Sequence, residues 1–315
     1  MNWDGVTIRS ESYAKDESIA SASRASFREA SLNGASLAGC FTVCTDFSNA
    51  SLSGADLSGI CGREANFSRA ILHRTKFDDA TLRQANFAGA DCSGASFQNA
   101  RLLDADLRDA CFVSANLKEC RLRGANLEGT DFTPADFSRA RGSGLDFRHA
   151  VLLQATFCGA RLIECNFENQ TLPMVDFIEA NLRESIFSDT EIENGSFFGS
   201  NLSNTRLGDI NWENCDLRNV DLRGATFQKG STRSGLVGSP YPSHGTRTGF
   251  YTDDFYDQPF KAPEEIRKAN LRGSDLRGAN IKNIDFYLVD LREARLDRDQ
   301  AEHVRQCGAI LVARV

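Results

Sequence analysis

Ala25-Ser-Phe27, Ala30-Ser-Leu32 and Ala35-Ser-Leu37 begin a count of five that runs without a slip to Ala225-Thr-Phe227. Positions 27, 32, 37 and so on to 227 form one series of 41, of which 19 are Leu and 16 are Phe. Ile192, Trp212 and Cys92 are further apolar members, and only Thr42, Gly62 and Gly142 break the pattern. An amphipathic helix needs a period near 3.6 and a half-buried strand a period of 2, so a period of five excludes both. One small and one large inward residue in five suit a chain that turns a corner every five residues. Gly, Asn and Ser recur just after the large residue, as turns prefer.

Here the chain resembles the pentapeptide-repeat family, whose consensus is roughly Ala-(Asp/Asn)-Leu-x-x. Ala55-Asp-Leu-Ser-Gly59, Ala105-Asp-Leu-Arg-Asp109 and Ala125-Asn-Leu-Glu-Gly129 match it fully. The resemblance implies an all-β fold, a right-handed quadrilateral β-helix in which four pentapeptides make one coil. For this chain it implies a solenoid of about eleven to twelve coils with a small C-terminal helical cap. The period of 20 is also legible in the residues themselves. Eight of the 16 Phe fall on the side of Phe27, Phe47, Phe67 and Phe87, and six on the opposite side with Phe77, Phe97, Phe157 and Phe177. Phe112 and Phe132 lie on a Leu-rich side, and Thr42, Gly62 and Gly142 all fall on the remaining Leu side. Aromatic residues on two opposite walls and Leu on the other two fill a square core without overpacking. Ten coils at an inter-strand spacing of ~4.8 Å would span roughly 48 Å.

The chain is expected to divide into an N-terminal cap at 1–24, uninterrupted repeats at 25–227, an insert at 228–268, final repeats at 269–296 and a helix–strand cap at 297–315. Trp3, Ile8 and Tyr13 are five apart in a different register, and Trp3 is read as a core plug. The insert holds Pro240, Pro242, Pro259 and Pro263 together with Tyr241, Phe250, Tyr251, Phe255, Tyr256 and Phe260. Its aromatic residues argue against plain disorder and would dock on the rod or on a partner. Repeats resume at Leu271, Leu276, Ile281, Phe286, Leu291 and Leu296. Asp297 and Gln300 have the spacing of a capping box opening a short helix through about Gln306, with Gly308 at its stop. Ala309 to Ala313 reads as a final strand. It would close the last coil or, alternatively, make a homodimer contact through the open strand edges.

Net charge is −7 with a pI near 5.3, which disfavours a general nucleic-acid binder. No apolar stretch approaches the ~18 residues of a membrane span, so a soluble, cytoplasmic protein is expected. The ten cysteines include no C-x-x-C pair and read as reduced small residues, mostly buried. His73, His149, His244 and His303 have no evident partners and no metal-ligand spacing. Gly230 to Gly235 lacks the Lys-Ser/Thr of a phosphate-binding loop. Asp46, Asp106, Asp146, Asn66, Asn86, Asn126 and Asn166 form a 20-residue ladder read as hydrogen-bonding the local backbone. No catalytic residue, cofactor site or metal site is assigned.

Charge is distributed unevenly. Residues 1–227 carry 22 basic and 31 acidic groups, net −9. The side bearing Leu82, Leu102, Leu122 and Leu162 has nine Arg against five acids, while each other side comes to −4. Arg101, Arg121, Arg141 and Arg161 stack in successive coils, with Arg63, Arg83, Arg123 and Arg183 beside them. Neighbouring salt bridges on a solvated face would be a sufficient account of these arginines. The alternative is a bound anion or an acidic partner surface held by Arg101, Arg121, Arg123, Arg141 and Arg161, with the insert's Tyr241, Phe250, Tyr251, Phe255 and Tyr256 as a second candidate contact. Function is expected to be a non-catalytic protein-interaction or scaffold module with an unidentified protein partner. The family resemblance also implies an alternative, a DNA-mimicking modulator of DNA gyrase or another type II topoisomerase that gives quinolone or toxin resistance. An enzyme or ligand binder using the insert ranks last.

Overall fold

The computed structural model describes Asn2, Asp4 and residues 21–208, 210–227, 269–282, 284, 286 and 289–311. Contacts divide the chain into two units, Met1–Arg161 and Leu162–Val315. Both are built on the same rule. A single residue of each pentapeptide bridges, in parallel, the residue 20 positions on.

In the first unit the bridges run from Ser21↔Phe41 and Ser26↔Asp46 to Asp131↔Val151 and Asp136↔Thr156. Asn2 also bridges Ser31, and pairing at 20-residue spacing begins at Ser21, one pentapeptide ahead of Ala25. Bridges five residues apart that each join residues 20 apart give four sides to a turn. Both backbone groups of a bridging residue are used: Ser51 N–H donates to Ala30 at 2.9 Å, and Ser51 carbonyl accepts from Leu32 at 2.7 Å. The next residue points inward and the chain then turns. Ala30 N–H closes the turn on Phe27 carbonyl at 3.0 Å. The fourth residue after the small one takes positive φ, as at Glu29 (58°), Asn49 (56°) and Gly124 (75°). A hydrogen-bonded turn with positive φ at its third residue has the geometry of type II. Such tight cornering leaves little room for regular strand. Among the described residues only β1 (Arg141–Ser143), β2 (Arg161–Ile163), β3 (Glu191–Glu193) and β4 (Asn211–Glu213) reach three residues.

The core follows from the 20-residue period. Phe47 and Phe67 stack face to face at 4.9 Å, as do Phe77 and Phe97 at 4.8 Å. The two walls meet edge-on: Phe77 lies 5.3 Å from Phe67 at 86° and 5.6 Å from Phe87 at 83°. Both arrangements suit the quadrupoles of the rings. Thr42 is fully buried on the Leu side. A β-carbon on Gly62 would come within 3.2 Å of Ile60, Leu82 and Thr42, so this break is already filled by its neighbours.

The second unit repeats the scheme. Phe167 and Phe187 stack at 4.7 Å, and Phe177 and Phe197 at 4.9 Å. Strands β3 and β4 pair in parallel, Ile192 opposite Trp212. Trp212 is buried, and its indole N–H has no partner among the described residues. Asn270 bridges Asp216, Asp275 bridges Asp221 and Asn280 bridges Thr226, so the repeat resumes in step on those three sides. Helix α1 (Arg298–Gln306) follows. Gln300 Oε1 accepts Asp297 N–H at 2.8 Å, and its Nε2 donates to the carbonyls of Leu276 and Ala279 at 2.7 and 2.9 Å. His303 Nε2 lies 2.9 Å from Ile284 carbonyl. The helix therefore satisfies the carbonyls of Ala279 and Ile284, both at the small-residue position whose carbonyl another turn would have taken. Of the segment 309–313, Ile310 bridges Asp290 and residues 312 and 313 lie outside the described residues. Trp3, Ile8 and Tyr13 also lie outside them.

Candidate functional site

The bridging position is the first place to look for function, because its side chain points outward and its usual occupant has a structural task. Asp46, Asn66, Asn86, Asn126 and Asn166 each accept, through Oδ1, the backbone N–H two residues on, at 2.9 to 3.1 Å. Asp106 and Asp146 do the same at 3.2 and 3.1 Å. This local bond satisfies a turn N–H and holds the corner.

Where Arg stands two residues after such an Asp, it folds back as a fork. Arg108 donates Nε to Asp106 Oδ1 at 2.9 Å and a terminal nitrogen to Oδ2 at 2.7 Å. Arg218, Arg223, Arg277 and Arg292 repeat the fork on Asp216, Asp221, Asp275 and Asp290. The Arg hydrogen bonds hold the carboxyls of Asp106, Asp216, Asp275 and Asp290 below the usual carboxylate range. These arginines are neutralised within their own pentapeptide.

Arg101, Arg121, Arg141 and Arg161 are different because they occupy the bridging position themselves. Arg101 bridges Arg121, and Arg121 bridges Arg141. The N–H groups of Arg101, Arg121, Arg141 and Arg161 donate to Ala80, Ala100, Cys120 and Ala140 at 2.9, 2.9, 2.8 and 2.8 Å. The backbone under the ladder is therefore held along its length. Arg123 follows Arg121, where a fork would need Asp. All five side chains are exposed. Among the described residues no carboxylate lies within 4.0 Å of any of their nitrogens. Asp104, three residues after Arg101, pairs with Arg83 at 3.7 Å. In the row that starts at Asp104 and ends at Glu164, three residues after each ladder arginine, the two middle turns carry Gly124 and Gly144.

The structure thus brings Arg101, Arg121, Arg123, Arg141 and Arg161 onto one side of the first unit. Tyr241, Phe250, Tyr251, Phe255 and Tyr256 lie outside the described residues. Two readings of histidine change. His73 Nε2 lies 2.6 Å from Asp91 Oδ2, because a partner 18 residues away sits in the next turn. His303, in α1, is bound to Ile284 carbonyl. Ser93 Oγ meets Asp91 Oδ1 at 2.5 Å and Cys111 Sγ at 3.2 Å. These residues lie by a shallow groove lined by Ser53, Gly54, His73, Arg74, Ser93, Gly94, Val113 and Ser114. The sequence signal for this cluster was spacing by 18, one turn less two.

Five of the ten cysteines are buried, fewer than the sequence suggested. Burial pushes the thiols of Cys40, Cys92 and Cys120 up, which disfavours the reactive thiolate. Among the described residues no group of His, Cys, Asp and Glu is arranged to hold a metal ion. No helix among them is long and apolar enough to cross a membrane.

The pentapeptide-repeat family model matches in eight copies, over residues 45–84, 75–112, 85–124, 110–141, 143–170, 160–195, 196–230 and 267–298. The chain belongs to the pentapeptide-repeat family. No curated protein matches it significantly. Among solved structures it is similar to HetL, a pentapeptide repeat protein involved in heterocyst differentiation regulation from the cyanobacterium Nostoc sp. strain PCC 7120. Identity is 26%, covering 65% of this chain and 90% of that one, with a TM-score of 0.32. It is also similar to a trypsin-treated form of QnrB1, a plasmid-mediated fluoroquinolone resistance protein. There identity is 18%, covering 99% of this chain and 97% of that one, with a TM-score of 0.23. The family assignment rests on the repeat match and not on these superpositions.

Two measurements check the side-chain logic of the bridging position. Arg121→Asp restores both the turn acceptor and a fork for Arg123. It should raise the free energy of unfolding read from urea titration by on the order of 1 kcal/mol, from the turn hydrogen bond; an unchanged or lower value contradicts the assignment. The depressed carboxyls have folded pKa values below the unfolded value of about 3.9, so their contribution is present above that pH and is lost as pH falls through the folded values. The urea midpoint should hold from about pH 7 to 5 and decline below about pH 4. A midpoint indifferent to pH throughout that range contradicts this account.

Proposed function

We propose that this pentapeptide-repeat chain is a non-catalytic protein-interaction scaffold whose arginine ladder takes an acidic surface of a protein partner. One observation carries the reading. In four successive turns Arg replaces a residue type that would accept a turn N–H, and no carboxylate among the described residues compensates it. Stacked like charges repel unless something neutralises them. A surface that gives up local stability at adjacent positions is the expected mark of selection for binding. The scaffold itself is proposed to wind right-handed through about eleven to twelve coils, the sense nearly all connections between parallel strands take. The sequence limits at residues 25, 228, 269 and 297 are proposed as its functional boundaries.

A second reading takes the acidic majority as a stand-in for DNA on DNA gyrase or another type II topoisomerase. Residues 1–227 carry net −9. That is about one charge per 20-residue turn, whereas DNA carries about three over the same ~4.8 Å. The Asp-x-Arg forks neutralise several of the acids that mimicry would use. The acidic-partner reading therefore comes first.

The immobilised parent chain should retain acidic proteins that an Arg121→Glu/Arg141→Glu double variant does not, both folded by circular dichroism. Equal retention by parent and variant contradicts the ladder's role. Inhibition of gyrase supercoiling by parent and variant alike would favour the second reading.

A further inference from the structure

We infer that the ladder's partner presents an acidic α-helix lying along the direction in which the turns stack. This deepens the acidic-partner reading above and rests on it. The argument is one of register. Arg101, Arg121 and Arg141 are joined by successive parallel bridges, and Arg161 N–H is bound to Ala140 in the turn below. The four Cα positions are therefore spaced by the inter-strand distance, ~4.8 Å, and the first lies roughly 14 Å from the fourth. Long side chains can absorb a small mismatch at each step, but mismatch accumulates over three steps.

An α-helix rises ~1.5 Å per residue, so carboxylates at i, i+3, i+7 and i+10 share one face and span about 15 Å. The mismatch at the last Arg is less than about 1 Å. An extended strand places same-side residues ~6.7 Å apart, so its fourth carboxylate falls about 20 Å from its first. That exceeds the ladder by roughly one whole step. The helix is thus the secondary structure whose acidic face stays in step with all four arginines.

The surroundings favour the same occupant. Gly144 leaves its place in the adjoining row without a side chain, while the Asp104 carboxylate, paired with Arg83, occupies the space where a β-carbon on Gly124 would stand. Nothing lies within 4 Å of where a β-carbon on Gly144 would stand. A cylinder about 10 Å across needs such clearance beside its contact line. Arg123, next to the ladder at the second turn, can reach the flank of a docked helix. Guanidinium groups are also suited to bidentate contact with carboxylates.

The test uses the full chain and two labelled alanine-rich peptides of identical composition, read by fluorescence anisotropy. One carries Glu at i, i+3, i+7 and i+10; the other carries the same Glu at i, i+2, i+4 and i+6, which align only in an extended chain. The helical-register peptide should bind at least about tenfold tighter, equivalent to ~1.4 kcal/mol. Arg121→Gln/Arg141→Gln should remove that preference, while Arg206→Gln, outside the ladder, leaves it intact. The parent and variants are compared by thermal melting, and the salt dependence of parent binding supplies a readout that needs no variant. Equal binding of both peptides, lost in the double variant, overturns the helix and leaves the acidic-partner reading standing. Tighter binding of the alternate-register peptide overturns it in favour of a strand. Binding of either peptide that is indifferent to the double variant overturns the helix and the ladder together. Preferential displacement of the helical-register peptide by single-stranded nucleic acid overturns the assignment to a protein partner.

Discussion

The structure depends on hydrogen bonds between residues about 20 positions apart. In each unit the N–H and carbonyl of a bridging residue both bond the turn before it, on either side of its partner, and its neighbours bond the turn after, as Ser51 does with Ala30 and Leu32, and Ala50 and Leu52 do with Ile71. The rest follows from that commitment. A residue bonded on both sides of its partner, between neighbours bonded to the next turn, cannot tilt, so the next residue points inward. Positions 20 apart then lie over one another, and the core becomes a set of columns. Phe stacks on Phe at inter-strand distance along one wall and meets the other wall edge-on. Turns are equally repetitive, which is why residues as unlike as Glu29, Asn49 and Gly124 all adopt positive φ.

The same commitment gives the outward-facing residue its role. Asp or Asn at the bridging position holds its own corner, and an Arg two residues on is clamped by that Asp. Such charges are spent inside the repeat and leave little field outside it. Arg101, Arg121, Arg141 and Arg161 invert the arrangement: the corner loses its side-chain acceptor, and the charge stays available. A stack of columns turns one substitution type into a linear array with fixed spacing. Binding by such a surface is a matter of matching a period, which distinguishes it from a pocket.

Legibility tracked periodicity. The five-residue count and the segregation of Phe into two walls were visible in the residues, because every column repeats its type. The backbone role of the Asp and Asn ladder was visible for the same reason. What escaped were contacts that happen once. His73 has no partner within its own pentapeptide and finds Asp91 only after the chain has gone round. The contrast between clamped Arg108 and open Arg123 was present in the spacing, with Asp106 two residues before the first and Arg121 two residues before the second. It becomes meaningful only with the fork geometry. The start of the 20-residue pairing at Ser21 was hidden because Ala22 stands where the series has Leu or Phe. Gln300 could be read as half of a capping box, but not as a donor to Leu276 and Ala279, since that depends on where the last turn ends.

The central claim is that the 20-residue turn, and not the pentapeptide, is the unit of stability. Deleting residues 86–105 removes one turn and keeps every column in register. Deleting residues 86–90 removes a quarter as much chain but moves every later residue to the next side, placing Phe columns over Leu columns. Thermal unfolding followed by circular dichroism compares the two. The account predicts a cooperative transition near that of the parent for the 20-residue deletion, and a much lower or broadened one for the five-residue deletion. A five-residue deletion as stable as the 20-residue one would contradict it.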